Sequence, residues 1–181
     1  MVHQPVVLVG IDGTETSAVA ARWAAREARR LGWALHLVTT YSLPSFPHAS
    51  LDGGYAALDD APIRAGAQAL LDEAAGWIAS EGLDVTATLE VGDAAGVLVE
   101  LSRDAGLAVV GTRGRGGFAD RMLGTVSSAL PAHAYCPTVV VPARSILSTR
   151  GIVVANRSPA VAARVAATVD WMPPPAAIRS S

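Results

Sequence analysis

The sequence predicts an α/β domain with an open parallel sheet and helices on both faces. Three observations lead there. Apolar runs without alternation, at residues 6–11 and 107–110, have the character of central strands covered on both sides. Helical stretches separate the strand-like runs, so the two kinds of element alternate along the chain. The run at 107–110 opens directly into GTRGRGGFADRMLGTVS, residues 111–127, a glycine-rich stretch whose backbone a ligand can approach closely.

The first strand, residues 6–11, ends at the turn Asp12-Gly13-Thr14. Thr16 or Ser17 is the expected cap of a helix over 18–31, with Arg22, Arg26, Arg29 and Arg30 on its solvated face and Gly32 as its stop. A second strand covers 34–40. Residues 41–60 carry Pro44, Pro47, Gly53 and Gly54, which exclude a regular element; a binding loop and a plain bridge are equally good readings. Asp60 and Pro62 announce a long helix with Ile63, Ala67, Leu70, Leu71, Ala74 and Ile78 as its buried stripe, closed by Gly82. Residues 85–91 alternate cleanly, with Val85, Ala87, Leu89 and Val91 inward, as suits an edge strand. Asp93 caps a third helix whose core face is Val97, Leu98, Leu101 and Ala105. A fourth helix runs from about Gly124 to His133, where Pro131 is expected to kink it or end it early. Thr138–Val141 is the fifth strand.

At 181 residues there is room for one ordinary domain and an extension. The hydrophobic share of 51% supports a core without disulfides, and the single cysteine, Cys136, excludes a disulfide framework and fits a reducing compartment. A net charge of −2 carries no footprint for nucleic acid. The start MVHQPVVLVG lacks the pattern of a signal peptide, and no long apolar run suggests a membrane span, so the expected location is cytoplasmic.

Four glycines, Gly111, Gly114, Gly116 and Gly117, fall within seven residues, and Gly124 precedes Thr125 at a helix start. Free N–H groups of such a loop and first helical turn, with the helix dipole, suit an anion, and Arg113, Arg115, Thr125 and Ser127 add charges and hydroxyls. A phosphate-bearing ligand follows. Gly114 to Ala119 also matches a GxGxxA dinucleotide fingerprint, but no acid lies in the following strand to hold a ribose. A phosphate loop of the Walker type needs a lysine, and the chain has none. The plain alternative is a surface loop with no ligand.

The spacing Gly111-x-x-Gly114, nine residues, then Gly124-Thr125 resembles the glycine signature of the ATP-binding branch of the universal stress protein family. The resemblance implies a Rossmann-like layout, similar to that of the adenine nucleotide alpha hydrolases, with strand order 3-2-1-4-5. That order puts the alternating third strand at an edge and the reversal of winding between strands one and four, where ligands of open α/β sheets bind. It also implies ATP as ligand. Gly10, Ile11 and Asp12 with Thr39 or Thr40 would meet adenine and ribose. Gly111, Thr112, Arg113, Gly114, Arg115, Gly116 and Gly117 would wrap ribose and phosphates, and Gly124, Thr125, Val126 and Ser127 would cradle the outer phosphates. Asp12 would at most support a magnesium ion through the phosphates. Asp12 could equally be an Asx-turn residue and Thr125 a helix cap.

No nucleophile–base pair is visible, since His3, His36, His48 and His133 all lie outside the glycine stretch. The expectation is a nucleotide-dependent stress-response module with at most slow ATP hydrolysis. The alternatives are a dimeric interaction module without nucleotide and an adenylate-using enzyme on a similar fold. The resemblance further implies a homodimer through the open edge at Thr138–Val141.

Residues 1–144 form the expected domain and 145–150 a linker. Residues 17–25, SAVAARWAA, are echoed by 159–167, PAVAARVAA, and residues 151–155 echo the first strand, with Asn156 near the place of Asp12. Residues 151–181 therefore read as the start of a degenerate second copy, or as a terminal appendage, without a nucleotide site of its own, and its apolar face is expected to pack against the edge of the domain or to pair with the same segment of another subunit.

Overall fold

The computed structural model describes residues 5–42, 60–114, 123–142 and 152–154. Its elements are β1 (Val6–Gly10), α1 (Glu15–Leu31), β2 (Ala34–Tyr41), α2 (Ala61–Ala79), β3 (Val85–Val91), α3 (Ala94–Leu101), β4 (Ala105–Gly111), α4 (Thr125–His133), β5 (Thr138–Val141) and β6 (Ile152–Val154). They form one sheet in the order β3-β2-β1-β4-β5-β6. The first five strands are parallel, in the expected order 3-2-1-4-5.

Alternate residues of each central strand serve opposite cores, which is why these runs show no polar alternation. Val7, Val9, Leu35, Leu37, Val109 and Val139 face α1 and α2, while Leu8, Val38, Ala108, Val110 and Val140 face α3 and α4. The buried side of α1 is mostly alanine, Ala20, Ala21, Ala24, Ala25 and Ala28, which lets the helix lie close on the sheet. Its arginines, Arg22, Arg26, Arg29 and Arg30, are exposed as expected. Arg29 and Arg30 pair with Glu81 and Glu27.

Several boundaries differ from the sequence reading, each for a local reason. Helix α1 begins at Glu15 because Thr14, in extended conformation, is the cap: its side chain accepts the Ser17 amide at 3.2 Å. Thr16 and Ser17 are instead buried in the first turn. Helix α2 ends at Ala79, before Gly82, and Ile63 is 42% exposed because residues 61–66 are all exposed; of the expected stripe, Leu71 and Ile78 are fully buried. Strand β3 is an edge, yet Ala87 and Val91 are exposed, Val91 by 56%. Of its apolar residues, Val85 and Leu89 are the ones packed against the core that includes Leu71 and Ile78 of α2. Asp93 caps α3 as expected, but Ala105 belongs to β4, which starts two residues before the apolar run. Helix α4 does not end early at Pro131. It reaches His133, and the Ala134 amide closes the last turn on Leu130 O at 2.9 Å. A proline so near the end costs one N–H bond rather than the helix.

The largest correction concerns β5. Its outer edge is not open: β6 pairs antiparallel on it, Thr138 opposite Val154 and Val140 opposite Ile152. The stretch expected to begin a second copy thus contributes a strand to the first sheet. The loop at 43–59, the linker at 145–150 and the repeat at 159–167 lie outside the described residues. Among the described residues, no helix is long and apolar enough to cross a membrane.

Candidate functional site

A cavity of about 450 Å3 opens at the carboxyl ends of β1, β2 and β4, bounded by the β3–α3 turn and the start of α4. Strands β1 and β4 are neighbours there. From β1 the chain winds outward through β2 to β3, and from β4 it winds the other way to β5. The cavity therefore sits at the reversal of winding.

The Asp12 carboxylate organises one wall. Its Oδ1 accepts the Thr14 amide at 3.0 Å and the Thr14 hydroxyl at 2.6 Å, so Asp12 makes the Asx turn that starts α1. That role does not remove it from the cavity, which it also lines. The Thr16 hydroxyl donates to the Arg113 carbonyl and ties the first turn of α1 to the loop after β4. Two glycines make close approaches here, Gly111 to backbone and Gly114 to the end of a side chain. A Cβ at Gly111 would stand 2.8 Å from the Thr16 carbonyl carbon and oxygen, and one at Gly114 would stand 2.5 Å from Asp12 Oδ2.

The opposite wall is the N-terminus of α4. The first helical bond is from the Ser128 amide to Gly124 O at 3.0 Å, so the amides of Thr125, Val126 and Ser127 precede the bonded ladder. All three residues line the cavity. Ser127 Oγ lies 2.8 Å from Thr112 O and 3.0 Å from Gly124 O, and the residue is 1% exposed. Its hydroxyl thus donates within the protein, and what Ser127 offers a ligand is its amide rather than the expected hydroxyl.

Of the residues expected at the site, Gly10, Ile11, Asp12, Thr40, Gly111, Arg113, Gly114, Gly124, Thr125, Val126 and Ser127 meet around the cavity. Thr39 and Thr112 do not line it. The Thr39 hydroxyl donates to Ile11 O at 3.1 Å, bracing β2 against the exit of β1. The Thr112 amide donates to Val141 O at 3.0 Å and its carbonyl accepts the Gly124 amide at 2.9 Å, closing the loop at its base. Arg115, Gly116 and Gly117 lie outside the described residues.

Sequence reasoning missed the other end of the cavity. Val38, Leu98 and Val110 give it apolar walls, and Ser42, Gly92, Asp93 and Ala94 rim it. Asp93 was legible as a helix cap. The strand order already placed the β3–α3 turn on the same sheet edge as Asp12 and Gly111.

Neither Cys136 nor His36 lines the cavity. Burial pushes the Cys136 thiol up to about 12, so it is a neutral core group. His36 hydrogen-bonds Thr88 Oγ1 at 2.8 Å, and burial lowers its pKa against the opposing pull of Glu90.

Comparison with known proteins agrees with this geometry. The model of the universal stress protein family matches residues 5–142. The chain belongs to the universal stress protein family. Universal stress protein Rv2623 of Mycobacterium tuberculosis is 36% identical over 146 residues, covering 75% of this chain and 46% of the relative. This chain therefore spans about half the length of that curated relative. Among solved structures, a universal stress protein in complex with cAMP is 27% identical at a TM-score of 0.57, over 77% of this chain and 98% of the other. The universal stress protein from Archaeoglobus fulgidus in complex with dAMP is 25% identical at a TM-score of 0.56, over 78% of this chain and 99% of the other.

Proposed function

We propose that this chain is an ATP-binding regulatory module, with ATP in the cavity between Asp12 and the start of α4. The observation that carries the reading is the set of donors at one end: Arg113 and the amides of Thr125, Val126 and Ser127. A polyanion is what such a set holds. The adenine nucleotides held by two family members support the rest. Triphosphate is favoured over monophosphate because three amides and a guanidinium can engage several phosphate oxygens at once.

Among the described residues no group of three acidic, His or Cys side chains could hold a metal. A magnesium ion would then be carried by the phosphates, with Asp12 at hand to support it. The lining side chains bind and orient and include no nucleophile–base pair among the described residues, so hydrolysis, if any, is slow.

A homodimer through β5 would require β6 to leave that edge. Assembly and the 152–154 strand therefore compete for one ladder. We expect the intact chain to be mainly monomeric, and a truncation after Arg150 to dimerise by light scattering; dimer in the intact chain would contradict this.

The test of function is calorimetric titration of the intact chain with ATP and with AMP. We expect both to bind, ATP more tightly, and the difference to shrink with added salt. No heat with ATP, or AMP as tight as ATP, would defeat the reading.

A further inference from the structure

The two ends of the cavity differ in charge as well as in chemistry. At one end stand Arg113 and the unbonded amides of α4. At the other, on the exposed rim of the apolar part lined by Val38 and Leu98, stands a carboxylate, Asp93. Asp12 places a carboxylate beside Gly114 at the first end as well, so charge alone does not orient a nucleotide. The α4 amides do, being the set of unbonded donors among the described lining residues: phosphates at α4, base between β2 and α3. This step rests on the nucleotide reading above.

Asp93 is exposed on this rim, and its side chain is fixed at one oxygen by its role as a cap. Its backbone is extended at the N-cap of α3, φ −72 and ψ 125, and its Oδ2 accepts the Gly96 amide at 2.9 Å. No protein donor among the described residues is within hydrogen-bond reach of Oδ1. The carboxylate of Asp12, the other acid of the lining, is engaged by Thr14. The hydroxyl of Ser42 donates to Gly92 O at 3.2 Å, which leaves Asp93 as the strong acceptor on this rim.

We propose that Asp93 selects the base, its Oδ1 accepting the exocyclic amine of adenine. An ionised carboxylate only accepts, so it rewards an amino group at the six position and repels the oxygen that hypoxanthine and guanine carry there. Guanine can pair with a carboxylate through two neighbouring N–H groups, but that contact uses both oxygens, and the Gly96 amide already shares Oδ2 and fixes its orientation. A site built around a hydrogen bond rejects the analogue that leaves its group unpaired.

The experiment compares ATP with ITP, which differ at the six position, on the intact chain and on Asp93→Asn. Asparagine also caps helices well, so α3 keeps its start, and its side chain can turn an amide donor toward the inosine oxygen. We expect the intact chain to prefer ATP by about tenfold or more, and the variant to bind both within about threefold. Asp93→Ser, a cap too short to reach the base, is the second variant and should lose the preference in the same way. Binding of ATP and ITP alike by the intact chain would overturn the selection by Asp93 and leave the nucleotide site standing. So would an unchanged ATP/ITP ratio in both folded variants. Failure of the intact chain to bind either nucleotide would overturn both readings.

Discussion

At the α4 end of the cavity a ligand would meet main chain; at the α3 end it would meet side chains. The first end is made of the Thr125, Val126 and Ser127 amides and of glycines in close approach to Thr16 and Asp12. The second is made of Val38, Leu98, Val110 and Asp93, all of which also serve the fold, as core residues or as a cap. Backbone recognition needs glycines at fixed spacing and leaves a mark in the sequence. Side-chain recognition by core residues leaves none, because a leucine facing a ligand reads like a leucine facing a strand.

Substitutions at the two ends should therefore fail in different ways. The largest effect is expected from Leu98→Ala. Leu98 is 3% exposed in the core beneath α3, and its loss should cost about 2–5 kcal/mol in urea denaturation. Adenosine binding should weaken in this variant while tripolyphosphate binding is kept. Equal loss of both would break the division between the ends.

Gly111→Ala is the counterpart at the other end. Its new methyl meets the Thr16 backbone at 2.8 Å, which should cost about 1–3 kcal/mol and pull the β4 exit away from α1. Tripolyphosphate binding should fall more than adenosine binding. A variant as stable as the parent would show that the close approach is not needed.

Asp93→Ala removes the α3 cap as well as the acceptor. A stability loss of about 0.5–2 kcal/mol is expected from thermal melting, against nearly none for Asp93→Asn.

The smallest effect lies on β2 below the α3 end. Burial lowers the His36 pKa in the fold below its ordinary 6.5, so the folded state binds fewer protons than the unfolded chain. Stability from this site is complete above that ordinary value and is lost as pH falls through the lower folded value. Urea midpoints between pH 7.5 and 5 should fall more in the parent than in His36→Asn; parallel curves would remove His36 from the account.

The strand order and the switch point were legible only through the family resemblance that the specific glycine spacing carries; unbroken apolar runs report burial on both faces and no order. Ile63 and Val91 were misread because periodicity tells which side of an element is apolar, not how far its partner extends over it. Ser127 lines the cavity, but the expected hydroxyl is turned back to Thr112 O, which cannot be read from spacing. Packing of residues 151–181 on the domain edge was one of the expectations, but its antiparallel pairing on β5 was not legible: strands 152–154 and 6–10 share a sequence pattern, and pairing direction depends on the connection rather than on the strand.

The central claim is that phosphates sit at α4 and the base at α3. The most direct measurement is an amide NMR titration of the intact chain with ATP and, separately, with adenosine. The account predicts that ATP moves the Thr125, Val126 and Ser127 amides and that adenosine leaves them nearly still. Both ligands should move Val38, Asp93 and Ala94. Equal movement of the α4 amides by adenosine and by ATP would contradict it.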